Sequence, residues 1–448
     1  MQYDVLVLGS GPAGFYCALN CARLGGKTIL VERDRLGGTG FRWGCLPVKM
    51  MLDRLRAGAG AEGSSDTDFR GDAVSVITDT FRRIQEVETR IRRRLTTAGV
   101  EVIQNEGRLV DPNTFHLGRR RISASRIVIA TGTEPAGWPG VSLDGETVIS
   151  HRDVLGLTGI PEHLLILGGD VEGIEFACLF ARLGGRVTVI EKEQQILPGM
   201  DPDLAIPIEE ALLGRGVCLR TGAEVRDCAV DRGATVSLGD GSQIEGDRVL
   251  VTGLRRPNFP EGLERVGVEH DGHKIKVNID LQSSCDTIYA VGDINGITGT
   301  AHAAIQQALL AAREIAGLGR IARKISAGPK AGPPYPRAVY TLPEIAGAGY
   351  QENELSAQRI PYKRLSYRLG ETWRGVSKRI DQGFIKVLAG EDDRILGLWI
   401  CGADASEQAS LFGPLLSAGL TLEGLKNGLI LHPTLGEAAL EAVLEHGQ

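Results

Sequence analysis

Asp4-Val5-Leu6-Val7-Leu8-Gly9-Ser10-Gly11-Pro12-Ala13-Gly14 decides the fold, and Leu164-Leu165-Ile166-Leu167-Gly168-Gly169-Asp170-Val171-Glu172-Gly173 repeats it. Each stretch reads as an apolar strand, a glycine turn and the opening of a helix. The first runs on through Leu24-Gly25-Gly26-Lys27 to a strand ending at Glu32. The second runs through Leu183-Gly184-Gly185-Arg186 to a strand ending at Glu191. Every matched position is offset by 159 residues, as Gly9 is from Gly168. A β-α-β unit used twice predicts two nucleotide domains in an α/β chain.

The first copy carries the full physical set. Gly9 allows the tight turn, Gly11 lets the backbone approach a pyrophosphate, and Gly14 lets the helix pack on the strand. The helix N-terminus faces the phosphates, and Glu32 accepts from a ribose hydroxyl. In the second copy Asp170 stands where the middle glycine belongs, with Glu172 two residues on. A carboxylate beside a pyrophosphate is repulsive, and its side chain obstructs backbone approach. Glu191 favours a free 2′-hydroxyl, hence NAD over NADP. Two outcomes stay open: NAD binding is weakened by Asp170 and Glu172, or the two carboxylates turn to solvent and NAD binds normally.

Around this repeat the chain is ordinary. At 448 residues it holds about three domains. A net charge of −6, with no long basic run, argues against a nucleic-acid partner. Arg90-Ile91-Arg92-Arg93-Arg94 is the densest basic patch and reads as the wet face of a helix. No secretory signal and no apolar stretch of bilayer length is visible, so a cytoplasmic protein without membrane contact is expected. Eight cysteines lie scattered without framework spacing, which suits a reducing compartment and suggests no metal site.

Further motifs extend a resemblance along nearly the whole chain: Ile129-Ala130-Thr131-Gly132-Thr133, Thr252-Gly253-Leu254-Arg255-Arg256-Pro257-Asn258, Ile288-Tyr289-Ala290-Val291-Gly292-Asp293, Thr300-Ala301-His302-Ala303-Ala304, Thr341-Leu342-Pro343-Glu344 and His432-Pro433-Thr434-Leu435-Gly436-Glu437. Together they resemble the pyridine nucleotide–disulfide oxidoreductases, dihydrolipoamide dehydrogenase above all. The resemblance implies two Rossmann-like dinucleotide-binding domains (FAD and NAD) and an α+β C-terminal dimerisation domain. It sets an FAD domain at 1–147 and 269–328, an NAD domain at 148–268 and a dimerisation domain at 329–448. It assigns Gly9, Gly11, Pro12, Ala13, Gly14, Glu32, Gly38, Thr39, Lys49, Thr131, Gly132, Gly292, Asp293, Ala301 and His302 to FAD. Gly168, Gly173 and Glu191 go to NAD(H).

The family's redox segment carries two cysteines four residues apart. Here Gly40-Phe41-Arg42-Trp43-Gly44-Cys45 keeps the second and has glycine in place of the first. The retained Cys45 precedes Pro47, which suits the first turn of a helix, and a helix N-terminus stabilises a thiolate. By resemblance Lys49 approaches the flavin and pairs with Glu175. His432 is the acid–base oriented by Glu437, acting on the other subunit of a homodimer. Catalytic roles are therefore expected for Cys45, His432, Glu437, Lys49 and Glu175. The expected function is FAD-dependent electron transfer between NAD(H) and a dithiol or disulfide, lipoyl-like in type. The alternatives are a quinone or diaphorase-type reductase that bypasses sulfur, and a non-enzymatic electron-carrying flavoprotein with a decayed NAD site.

Overall fold

The computed structural model describes residues 2–58, 73–318 and 336–446. The first β-α-β unit is β1 (Gln2–Leu8), α1 (Pro12–Arg23) and β2 (Thr28–Glu32). β2 is buried along its whole length, as expected of a parallel strand covered on both faces. Pro12 opens α1, where its missing amide costs nothing. There follow α2 (Gly38–Arg42), α3 (Cys45–Gly58), α4 (Ala73–Thr97), β3 (Glu101–Gln104), β4 (Arg108–Asp111), β5 (Thr114–Leu117) and β6 (Arg120–Ile129). The strands order as β3-β2-β1-β6-β5-β4. The free edge of β6 near its end takes a later strand, β17 (Ile288–Ala290), in parallel. α7 (Ala301–Ile315) packs on α1. On α4 the basic run is a wet face: Arg90, Arg93 and Arg94 are exposed while Ile91 and Leu95 are buried.

A short antiparallel pair, β7 (Thr133–Pro135) with β16 (Arg255–Pro257), ties this first sheet to the second. The second sheet comprises β8 (Val148–Ile149), β9 (His163–Leu167), β10 (Arg186–Ile190), β11 (Cys218–Arg220) and β15 (Arg248–Val251), all parallel, ordered β11-β10-β9-β15-β8. α5 (Val171–Arg182) and α6 (Pro202–Leu213) belong to this unit. A meander of β12 (Val225–Val230), β13 (Ala234–Leu238) and β14 (Gln243–Gly246) covers one face. The C-terminal sheet is antiparallel, ordered β18 (Pro336–Val339), β19 (Glu344–Gly349), β22 (Ile395–Gly402), β21 (Phe384–Ala389), β20 (Lys363–Arg368). The expected α/β architecture, with its α+β C-terminal part, is what the chain forms. The expected boundary at 328 lies outside the described residues. No helix among the described residues is long and apolar enough to cross a membrane.

Lys386 of β21 is fully buried, and its ammonium joins the second unit to the C-terminal one. It donates to Asp201 and Asp203 at 2.8 Å and to Glu352 at 3.1 Å. Burial opposes its charge, but Asp201 and Asp203 outweigh that and hold the ammonium above its ordinary value. These three acids are the nearest approach to a metal cage among the described residues, and the lysine already occupies their centre. Removing one partner from such a cluster leaves buried charge uncompensated. Lys386→Met is expected to lower the unfolding free energy by about 3–5 kcal/mol, read from the denaturant midpoint.

Candidate active site

One cleft of about 1480 Å³ runs between the two nucleotide units and touches the C-terminal one. Its walls carry Gly9, Gly11, Pro12, Ala13, Glu32, Gly38, Thr39, Cys45, Lys49, Thr131, Gly132, Glu175, Gly292, Asp293, Ala301 and His302, so it gathers most of the residues the sequence singled out. Gly14 lies beneath it: a β-carbon there would stand 2.0 Å from the Gly9 carbonyl oxygen, so helix and turn meet only through glycine. Gly168, Gly173, Glu191, His432 and Glu437 do not line it.

The first glycine turn fits FAD on the evidence of its own atoms. Gly9 has φ +98°, and a β-carbon there would meet the Ala130 carbonyl at 2.5 Å. Gly11, by contrast, would meet nothing nearer than the Gly38 Cα at 3.9 Å, so its outer side is open to a ligand. Glu32 organises the turn by accepting from the Ser10 amide (2.8 Å) and hydroxyl (2.6 Å). Inside the cleft the hydroxyls of Thr131 and Thr298 are buried without a partner. Asp293 has the Thr133 hydroxyl only at 3.4 Å, and burial pushes its carboxyl up. Unpaired hydroxyls and an under-satisfied carboxyl are groups that a polyhydroxylated ribityl and phosphate chain would satisfy.

Lys49 of α3 ion-pairs with Glu175 of α5, whose other oxygen accepts from the Tyr340 amide at 3.0 Å. The Lys49 ammonium also stands 4.6 Å from the Tyr340 ring centroid. Cys45 begins α3 outright, two residues ahead of Pro47. Its thiol is open to the cleft but crowded on the protein side. Burial pushes the Cys45 thiol up, and Lys49 only partly counters it. Burial thus works against the thiolate that the helix end is expected to favour. A β-carbon placed on Gly40 would stand 2.6 Å from Pro12 Cγ, so a second sulfur there would require the turn to shift.

The second glycine turn repeats the first in one respect: Glu191 accepts from the Gly169 amide at 2.6 Å, as Glu32 does from Ser10. It differs at the carboxylates, neither of which turns to solvent. Asp170 is the N-cap of α5 and accepts from the Gly173 amide at 2.9 Å, occupying the helix end a pyrophosphate would use. Glu172 pairs at 2.8 Å with both His151 and Arg255. Burial pushes the Asp170 carboxyl up to about 6. Burial opposes the charge of Glu172 too, but His151 and Arg255 hold it down at about 2. Glu172 is therefore charged but neutralised, while Asp170 carries the charge a dinucleotide must face. Asp170 sheds that charge below about 6, so NAD affinity should rise as pH falls through 6, by about three- to tenfold at charge separations of several ångströms. Asp170→Asn, which keeps a capping oxygen, should bind more tightly at pH 7.5 and lose this pH dependence in a fluorescence titration with NAD.

His432 and Glu437 are joined at 2.7 Å through Nδ1, with Glu437 also accepting from the Thr434 amide at 2.6 Å. The His432 side chain is 62% exposed, and Leu429 and Leu431 beside it are 105% and 77% exposed. Within one chain this dyad does not reach Cys45, whose charged neighbours are Lys49, Glu175, Arg255 and Asp293. Two features lay outside the sequence reading. Arg255 stood inside a quoted motif without a role, and nothing near His151 marks it as the partner of Glu172. The Trp43 ring takes the guanidinium of its neighbour Arg42 at 3.6 Å and that of Arg152 at 4.8 Å.

Residues 3–308 match the family described as pyridine nucleotide-disulphide oxidoreductase, and residues 335–443 match its dimerisation domain. A dihydrolipoyl dehydrogenase of Mycoplasma pneumoniae is 30% identical over 451 residues, covering 98% of this chain and 97% of that protein. A soluble pyridine nucleotide transhydrogenase of Mycobacterium bovis is 32% identical, covering 99% and 97%. The crystal structure of LpdA from Mycobacterium tuberculosis is similar at a TM-score of 0.89 and 25% identity, covering 99% of both chains.

Proposed function

Since this chain belongs to the pyridine nucleotide-disulphide oxidoreductase family, whose members bind FAD and use NAD(P)H, we propose that it passes electrons between NAD(H) and an external disulfide or dithiol through the single sulfur of Cys45. The observation that carries this reading is the company Cys45 keeps. It shares one cleft with the first glycine turn and with the intact Lys49–Glu175 pair, and among the described residues no second cysteine lines that cleft. In this reading Cys45 Sγ attacks one sulfur of the substrate, the S–S bond breaks, and the departing thiolate takes a proton from His432. Glu437 holds the tautomer: burial opposes its charge, but the Thr434 amide and His432 keep its carboxyl below the usual range. The first glycine turn, Thr131, Thr298 and Asp293 would hold FAD beside Cys45, where its reduced form would supply two-electron reducing chemistry. The dyad comes from a second copy of the chain, as the family's dimerisation domain and the uncovered leucines beside His432 support. A lipoyl-like disulfide is the substrate class that the dihydrolipoyl dehydrogenase relatives favour.

A second reading, direct transfer from flavin to a quinone-type acceptor, has one observation in its favour: burial pushes the Cys45 thiol up and away from the reactive thiolate. Anaerobic titration of the flavin-loaded dimer separates the two. NADH should bleach the flavin, and oxidised lipoamide should restore its colour. Restoration by a quinone but by no disulfide would remove the thiol reading.

A further inference from the structure

A second site lies apart from the cleft, on the face of the second sheet covered by the meander, and does not depend on the functional reading above. Alternation along β11 sends Leu219 to the helix-side core, which leaves Cys218 and Arg220 on the opposite face. Along β10, Val187 and Val189 pack into that same core, so Arg186 and Thr188 share the face with Cys218. Thr188 pairs with Cys218 in register, which brings the two arginines to either side of the thiol.

These side chains and His163 line a depression of about 430 Å³. Cys218 is exposed and free. Arg186 and Arg220 have no ion-pair partner among the described residues. His163 is 8% exposed and spends Nε2 on the Thr188 hydroxyl at 2.8 Å. Its Nδ1 is buried without a hydrogen-bond partner at the wall of the depression. Burial, with Arg186 next, holds the imidazole below its ordinary range, while the Glu245 backbone and Asp247 act the other way. Glu245 is the lone acid in the lining, against two guanidiniums.

We propose that this depression docks a small disulfide bearing carboxylates, and that Cys218 is the site at which such a disulfide thiolates the protein. Guanidiniums bind carboxylates through paired N–H groups, and an exposed thiol in an electropositive setting is where exchange is selective. In the exchange Cys218 Sγ loses its proton and bonds to one sulfur of the disulfide. The original S–S bond breaks, and the other half leaves as a thiol carrying a proton. The disulfide is the oxidant.

The test treats the flavin-loaded dimer with oxidised glutathione or with the cationic disulfide cystamine, and counts modified peptides by mass spectrometry. At low ionic strength Cys218 should react about tenfold faster with the anionic reagent, two unit charges at several ångströms each contributing about threefold. Cys228 and Cys285 should show no such preference. The double variant Arg186→Ala/Arg220→Ala should bring the Cys218 ratio to about that of the other two. Equal rates with both reagents in the unmodified chain, or a ratio unchanged in the double variant, would overturn the proposal.

Discussion

Cys45→Ser should reduce disulfide-linked turnover by about a thousandfold or more, because serine forms no mixed disulfide and no other protein thiol lines the cleft to take over. The same variant should keep its flavin, since the atoms that fit FAD are the glycine turn, Thr131, Thr298 and Asp293, all of which the substitution leaves in place. NADH reduction of the bound flavin should stay within about twofold, because that half-reaction draws on the opposite partner and leaves transition-state contacts at sulfur unused. Stopped-flow measurement of both half-reactions gives the decisive contrast. An equal fall in the two would mean that the serine disturbs the cleft as a whole. Unchanged disulfide turnover would transfer the chemistry to the flavin itself.

His432→Ala should cost about 10²- to 10⁴-fold in the same turnover, the range for loss of a positioned acid–base group. Glu437→Gln should cost less, because an amide can still orient the ring without stabilising the imidazolium. The more informative experiment mixes subunits. A heterodimer with Cys45→Ser in one chain and His432→Ala in the other places both lesions in one site if each site draws on two chains, and leaves the other site whole. Such a heterodimer should retain about half the wild-type activity. If Cys45 and His432 of the same chain cooperate, each site carries one lesion and activity should fall to about the level of the single variants. The exposure of His432 and its absence from the walls of its own chain's cleft favour the first result.

Much of this architecture could be read before any coordinates. The repeat at a spacing of 159 residues specified two nucleotide units, and the paired glutamates at positions 32 and 191 play the same part in both, each organising the turn that precedes its helix. Local chemistry of that kind is written in short spacings. Asp170 was half legible: its conflict with a pyrophosphate is plain from its position, and aspartate is a favoured helix cap, yet only the fold shows that it caps α5 in place of a ligand. The partners of Glu172 were not legible, since His151 and Arg255 reach it from separate segments of the chain. Cys45 shows the general limit. A helix end can be inferred from Pro47, but the amount of protein packed around a sulfur atom is a property of the whole assembly, and here burial pushes the thiol up.

The carboxylate of Glu175 binds a lysine on the redox helix with one oxygen and a backbone amide of the C-terminal unit with the other, while itself riding on the helix that follows the second glycine turn. It is thus a mechanical junction of three bodies. Any rotation of the second unit against the other two would have to stretch that junction or carry Lys49 with it.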